Sequence, residues 1–227
     1  MNKTYNLWIF IVSFFALLYS FLVSIRENAG SFTRVTVLDA TEEYRFYIYL
    51  VTALLILLIG GNRAMRKWTG IRIVNRIDKF QFNTPISNER KKLVVSNTAV
   101  EILYLTILAV AFWIFAKDYF IVTFTFIILT IDLIINIIMG VSKRKYRIGM
   151  TRKAIIQVDR EVVAIYFKGL RRITKQNNRL YFEYVNDLVL TLQLDSIPEE
   201  KVDEFFTHLH SIVDENDVYY SGFGSPF

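Results

Sequence analysis

Long uncharged runs of apolar residues constrain this chain more than any other feature of its sequence. Residues 7–25 carry no charge and, as a helix, can cross a hydrocarbon layer of about 30 Å. Residues 46–61 form a shorter run whose polar flanking side chains can snorkel to the two interfaces. Residues 99–139 are interrupted only by Lys117 and Asp118, and one helix of that length would reach about twice the membrane thickness. We therefore predict a hairpin there and four spans in all, at about 7–25, 46–61, 99–116 and 119–139.

The basic residues predict which side of the membrane each connection faces. The formal net charge is +6, and basic side chains are frequent in residues 62–97 and in the segment that follows the fourth span. The positive-inside rule places both segments in the cytoplasm, whereas the connection 26–45 mixes both signs and is predicted to lie outside. The chain has no cysteine, which fits a protein with little mass in an oxidising compartment. We expect a multi-pass protein of the bacterial inner membrane with both termini in the cytoplasm.

After the fourth span the hydrophobicity changes from continuous to alternating. In residues 179–185 and again in residues 188–195 apolar side chains occupy alternate positions, which is typical of strands with one buried face. Asn186-Asp187 and Gln176-Asn177-Asn178 have the composition of tight turns. These features predict an antiparallel sheet, to which we assign three earlier strands, residues 146–150, 154–158 and 162–167.

A helix is predicted to close this sheet. Ser196, Pro198 and Glu199 match a capping box with proline in the first turn. The apolar face of the helix is expected to pack on the sheet and contains Val202, Phe205, Phe206, Leu209, Ile212 and Val213. We therefore divide the chain into a transmembrane domain at 1–142, a cytosolic α+β domain at 143–213 and a flexible tail at 214–227, which is either loose or docked on a neighbour. Residues 71–95 add either strands or an interfacial helix to the cytosolic body.

The predicted sheet and helix resemble a known module. The segments VDREVVAIYFKGLRRI and NRLYFEYVNDLVLTLQLDSIPEEKVDEFFTHL, within about residues 146–213, are similar to the pleckstrin-homology-like (PH-like) modules of bacterial YcxB-type membrane proteins. The resemblance implies a compact antiparallel barrel capped by the helix and preceded by a membrane part. That family more typically has one pair of spans, whereas this chain is predicted to have two.

Sequence motifs of catalysis are absent. The chain has no Walker loop, Rossmann glycine pattern or nucleophile elbow. Its histidines, His208 and His210, point to different faces of the predicted helix and are not expected to share a metal ion. We therefore expect no catalytic residue, metal site or cofactor, and we predict that the protein is not an enzyme.

Polar side chains inside the predicted spans are the first candidate site. Asp132 and Asn136 lie one helical turn apart, Thr125 extends the same stripe, and Glu101 belongs to the same cytoplasmic half of the hairpin. An ionised aspartate in mid-membrane costs about 2.5–3.5 kcal/mol, so it should face other helices or water. These residues are predicted to form a pore lining or ion site. In the alternative, Asp132 pairs with a neighbouring polar side chain and Glu101 is interfacial.

The second candidate site is a basic patch around one predicted hairpin, containing Lys168, Arg171, Arg172, Lys175 and Arg179. Such surfaces bind RNA, nucleotide phosphates or anionic lipid headgroups. The alternative is that these residues determine topology and form a solvated face.

Three functions follow from these patterns. The first is an oligomeric membrane effector or channel-like protein gated by its cytosolic domain. Its general plan resembles that of small membrane proteins in bacterial antiphage systems, including those beside type VI CRISPR nucleases. The second is a membrane-anchored PH-like adaptor that recruits a cytosolic protein, RNA or anionic lipid, and the third is a small carrier subunit. Of the three, we expect the oligomeric membrane effector, with the bilayer and further copies of the chain as partners.

Overall fold

A computed structural model describes residues 2–29, 42–117, 119–213 and 218–222. They belong to two compact units. The helical unit contains Met1–Met65 and Thr98–Asn136, and the sheet unit contains Arg66–Asn97 and Ile137–Phe227.

In the described part of the chain four helices are long and apolar enough to cross a membrane, as the sequence predicts. They are α1 (Asn2–Ala29), α2 (Arg45–Val74), α3 (Asn88–Phe115) and α4 (Ile121–Ile137). The chain turns between α3 and α4 next to Lys117, which confirms the predicted hairpin. Asp118, the other residue of the predicted tip, lies outside the described residues, as do residues 30–41 of the connection predicted to lie outside the membrane.

The core of the helical unit is apolar and closely packed. Ile56, Phe112 and Phe126 are fully buried. Gly60 allows α2 and α4 to approach, because a Cβ atom there would lie 2.6 Å from the side chain of Leu129. Large apolar side chains also cover the outer faces of these helices, such as Leu58, which is 69% exposed. Exposed apolar surface of this extent fits a lipid environment.

The segment 62–97, predicted as a loop, is ordered. α2 continues to Val74 instead of ending near residue 61, β1 covers Phe82–Pro85, and α3 begins at Asn88. Hydropathy marks where a helix leaves the hydrocarbon layer, but a polar continuation can keep its backbone hydrogen bonds. Of the two alternatives for this segment, the structure therefore shows one strand flanked by the extensions of two apolar helices.

The sheet unit contains two four-stranded sheets. The first has the order β1-β2-β3-β4 and is antiparallel, and the second has the order β7-β6-β5-β8, with β8 parallel to β5. The remaining strands are β2 (Arg147–Met150), β3 (Ala154–Val158), β4 (Val162–Tyr166), β5 (Leu170–Gln176), β6 (Arg179–Tyr184), β7 (Val189–Gln193) and β8 (Tyr219–Ser221). Within the described residues no barrel closes, so the PH-like barrel is not confirmed.

Local sequence patterns correctly predicted the β5–β6 and β6–β7 hairpins. Asn177 and Asn178 have positive φ angles of 46° and 58°, and Asp187 has one of 59°. Asparagine and aspartate tolerate this backbone conformation better than most residues. Leu180 and Phe182 are fully buried, as the alternation predicted.

The closing helix is present, but the predicted capping box is wrong. Helix α5 spans Val202–Ile212 and packs Phe205 and Leu209 into the core. The residue before it, Lys201, makes no capping hydrogen bond through its side chain. Ser196 lies in a separate 3₁₀ turn and is fully buried, and its hydroxyl accepts a hydrogen bond from the Gln157 amide at 3.3 Å. The hydroxyl therefore satisfies a buried donor instead of a helix end.

The predicted flexible tail is wrong for residues 218–222. Val218 is buried in the core of the sheet unit, and Tyr219–Ser221 form β8 at the edge of the second sheet. The other residues of the predicted tail lie outside the described residues.

A buried polar network connects the start of α3 to both sheets. The carboxylate of Asp159, between β3 and β4, accepts hydrogen bonds from Arg90 Nε and Gln157 Nε2, both at 2.8 Å. The Arg90 guanidinium also donates to the side chain of Gln193 in β7. Ser87 caps α3, because its hydroxyl accepts the Arg90 N–H at 3.0 Å. Segment 82–97 is thus held in the sheet unit by charge as well as by β1.

Candidate functional site: an arginine cleft on the second sheet

Two consecutive arginines lie exposed on the same strand. The register between β5 and β6 shifts between Leu170 and Arg172, so Arg171 is an extra residue in a β-bulge. In a regular strand neighbouring side chains alternate between the faces, and a bulge redirects them. Here Leu170 and Ile173 are buried, and both arginines between them are exposed.

Hydrogen bonds hold the chain at the start of β5. Gly169 has a φ angle of +83°, which favours glycine, and its carbonyl accepts the Val185 N–H at 3.1 Å. Tyr184 lies opposite Leu170 and donates its hydroxyl to the Tyr166 carbonyl at 2.7 Å. Burial raises the pKa of Tyr184, so this hydroxyl remains a neutral donor at physiological pH. The bulge therefore begins from a fixed backbone.

The two arginines share an open cleft with Glu183 and Tyr219. The guanidinium of Arg172 lies 4.0 Å from the Glu183 carboxylate, and both side chains are substantially solvent-exposed. The same guanidinium lies 5.0 Å from the centre of the Tyr219 ring, within cation–π range. The cleft thus carries two positive charges, one negative charge and an aromatic wall.

The other three residues of the predicted basic patch lie elsewhere. Lys175 follows the opposite face of β5, and its ammonium group lies 5.0 Å from the centre of the Phe206 ring on α5. Arg179 is at the far end of the hairpin, opposite Gln176. Lys168 is exposed in the connection between β4 and β5. Because the strand alternates and the hairpin is long, the fold gathers Arg171 and Arg172 into the cleft without the other three.

The three residues of the predicted polar stripe on α4 differ in burial. Asn136 is buried at 1% exposure, Thr125 is buried, and Asp132 is partly buried. The Thr125 hydroxyl donates to the Ile121 carbonyl at 2.9 Å, so the helix itself satisfies this hydroxyl. The helical spacing places these three side chains on one side of α4.

Glu101 has a partner that the sequence reasoning did not assign. Arg63 on α2 and Glu101 on α3 form a bidentate ion pair, whose second contact joins Nη2 to Oε2 at 2.9 Å, and both side chains are buried. The pair neutralises the Glu101 charge locally, which weakens the case for a joint acidic site with Asp132. The two residues are 38 positions apart, and the available signal was that they lie at the ends of predicted spans two and three that adjoin the basic segment 62–97.

Within the described residues no group of three histidine, cysteine or acidic side chains could hold a metal ion. Comparison of the chain with known protein families, with curated proteins and with solved structures finds no match.

Proposed function

We propose that the protein is a membrane-anchored binding module that recruits an anionic ligand through the Arg171–Arg172 cleft. The observation that carries the proposal is the β-bulge, which places two consecutive guanidinium groups on one exposed surface. Bulges often redirect side chains next to functional sites. The four long apolar helices provide the anchor.

The charges of the cleft support an anion as the ligand. Arg172 and Glu183 are 46% and 36% exposed, and ion pairs this exposed contribute about 0–1 kcal/mol. A ligand anion can therefore replace Glu183 at little cost. Guanidinium groups form paired hydrogen bonds to carboxylates and phosphates, and two adjacent groups can grip one anion.

The role proposed for the sheet unit is binding, without a chemical reaction. The cleft contains no nucleophile next to a general base and no group of metal ligands. By the positive-inside rule, we place this unit on the cytoplasmic side, where it would hold an anionic cytosolic molecule close to the membrane.

Charge reversal in the cleft tests this function. We expect the double variant Arg171→Glu/Arg172→Glu to bind anionic probes at least about tenfold more weakly than the native chain, which corresponds to ~1.4 kcal/mol. Binding is measured with full-length protein in nanodiscs of neutral lipid, using polyglutamate and a single-stranded oligonucleotide as probes. Lys168→Glu/Arg179→Glu is the matched control, because it also reverses two exposed charges of the predicted basic patch, both outside the cleft. An equal loss in the control, or no binding by the native chain, would contradict the proposal.

A second candidate function is a channel-like membrane effector assembled from several copies. The observation that favours it is the stripe of Thr125, Asp132 and Asn136 on one side of α4, a helix that is otherwise strongly apolar. Ionisable residues in membrane helices commonly mark ion or proton pathways. Thr125 and Asn136 are buried within one copy and Asp132 is partly buried, so in this candidate Asp132 is the residue of the stripe that would also face a second copy.

Ion flux decides this second candidate. Asp132→Asn keeps the side-chain size and removes the charge, so we expect several-fold lower cation flux in proteoliposomes with an unchanged oligomeric state in detergent. Thr130→Val, on the same helix, is the control and should leave flux unchanged. A native chain that is monomeric, or that conducts no ions, rules this candidate out.

A further inference from the structure

The last described segment of the chain fills a groove between the edge of β5 and helix α5. Its backbone pairs in parallel with β5, with Tyr219 opposite Arg172 and Ser221 opposite Thr174. In the order of the second sheet β8 is the outermost strand, so β5 would be an edge without it. An uncovered edge exposes unpaired N–H and C=O groups that can pair with another extended segment.

Val218, Tyr220 and Ser221 each meet a particular feature of the groove. Val218 is buried, and the Tyr220 ring stacks on His210 of α5 with 4.7 Å between ring centres. The Tyr220 hydroxyl donates to the Val213 carbonyl at 3.1 Å, and the hydroxyls of Ser221 and Thr174 lie 2.9 Å apart. The groove therefore recognises side chains as well as backbone.

Glycine is required at the end of the segment. Gly222 has a φ angle of +78°, and a Cβ atom there would lie 2.2 Å from the Lys175 carbonyl oxygen. Any other residue would be strained and would collide with backbone, which cannot move aside as a side chain can. The groove thus selects a pattern of five residues: an apolar residue, any residue, an aromatic residue, a hydroxyl residue and glycine.

Pairing over so few residues leaves β8 weakly held. It contributes three residues to the sheet, and parallel pairs are slightly less stable per residue than antiparallel ones. Short edge elements open locally at a much smaller free energy than the whole domain. The segment can therefore leave the groove while the sheet remains folded.

We propose that this groove is a docking site for an extended peptide of that pattern, which residues 218–222 fill in cis. A partner segment with the same pattern adds to β5 in trans after β8 leaves. This mode of binding is β-augmentation, in which backbone pairing supplies affinity and the pockets for side chains supply specificity. The inference does not depend on the anion that the arginine cleft binds.

A peptide in trans tests the groove. The probe is a fluorescent synthetic peptide with the sequence of residues 216–225, added to full-length protein, to a chain that ends at Val213, and to the full-length variant Gly222→Val. The tethered segment has an effective concentration in the millimolar range, so it outcompetes the probe in the native chain. We expect both altered chains to bind the probe at least about tenfold more tightly than the native chain does.

The control probe is the same peptide with valine in place of the glycine, and it should not bind. The Gly222→Val chain keeps the whole sequence and decides the test if the shortened chain fails to fold. The proposal is overturned if neither altered chain binds the probe, if the valine peptide binds equally well, or if the native chain binds as tightly as the altered ones.

Discussion

Glu101→Ala is expected to destabilise the helical unit by about 3–5 kcal/mol, because it leaves the buried guanidinium of Arg63 without its carboxylate. Without this carboxylate the guanidinium loses a large attraction, but the cost of removing its charge from water remains. The measurement is equilibrium unfolding of the full-length protein in mixed detergent micelles, followed by helical circular dichroism.

The double variant Arg63→Met/Glu101→Leu is the informative control for this pair. Apolar side chains of similar size remove both desolvation costs, so we expect its stability to lie within about 1 kcal/mol of the native value. A loss below about 1 kcal/mol for Glu101→Ala alone would show that water screens the pair as it does at a surface. In that case Glu101 would again be available to an acidic site with Asp132.

The second large effect is expected at Asp159, where alanine should lower the stability of the sheet unit by about 3–5 kcal/mol. This carboxylate is 2% exposed and accepts from Arg90 and Gln157, as well as from the Glu161 N–H at 3.1 Å. Its removal takes this acceptor away from the Arg90 guanidinium and from two further donors, the Gln157 amide and the Glu161 N–H. Hydrogen exchange of the β3 and β4 amides measures the local opening free energy in the full-length chain.

An exposed ion pair in the same unit gives the matched comparison. Lys201 Nζ and Glu204 Oε2 lie 2.5 Å apart on the surface, and the two side chains are 45% and 46% exposed, so Glu204→Ala should have a far smaller effect on stability than Asp159→Ala. In an Arg90→Leu background the Asp159→Ala effect should shrink, because the two groups are coupled. If Asp159→Ala and Glu204→Ala had equal effects, the network would not hold segment 82–97 in place.

Features that depend on neighbouring residues were predictable from the sequence. An apolar run such as residues 7–25 must be a helix in lipid, because its backbone has no other hydrogen-bond partners there. The alternation at Leu180 and Phe182 and the turn at Asn177-Asn178 follow from strand geometry and from the φ angles that asparagine tolerates. These determined the number of apolar helices and the hairpins of the second sheet.

The capping box shows where local reasoning fails. Ser196 and Glu199 have the right spacing, but the serine hydroxyl is drawn into the core by Gln157, a residue 39 positions away. A serine hydroxyl can accept a hydrogen bond from a nearby backbone N–H or from a distant side chain. Only the folded chain decides which donor it meets.

The two candidate sites were also only partly predictable from the sequence. The sequence by itself determined that basic side chains gather near residues 168–179, and that an acidic residue lies in the fourth apolar helix. Tertiary structure alone decided that Arg171 and Arg172 share a cleft with Tyr219, and that Glu101 pairs with Arg63. The bulge that turns both arginines outward arises from pairing between strands, and Tyr219 and Arg63 come from distant parts of the chain. Hydropathy and the periodicity of apolar residues are properties of short segments. The register between strands and the pairing of distant residues depend on the free energy of the whole fold.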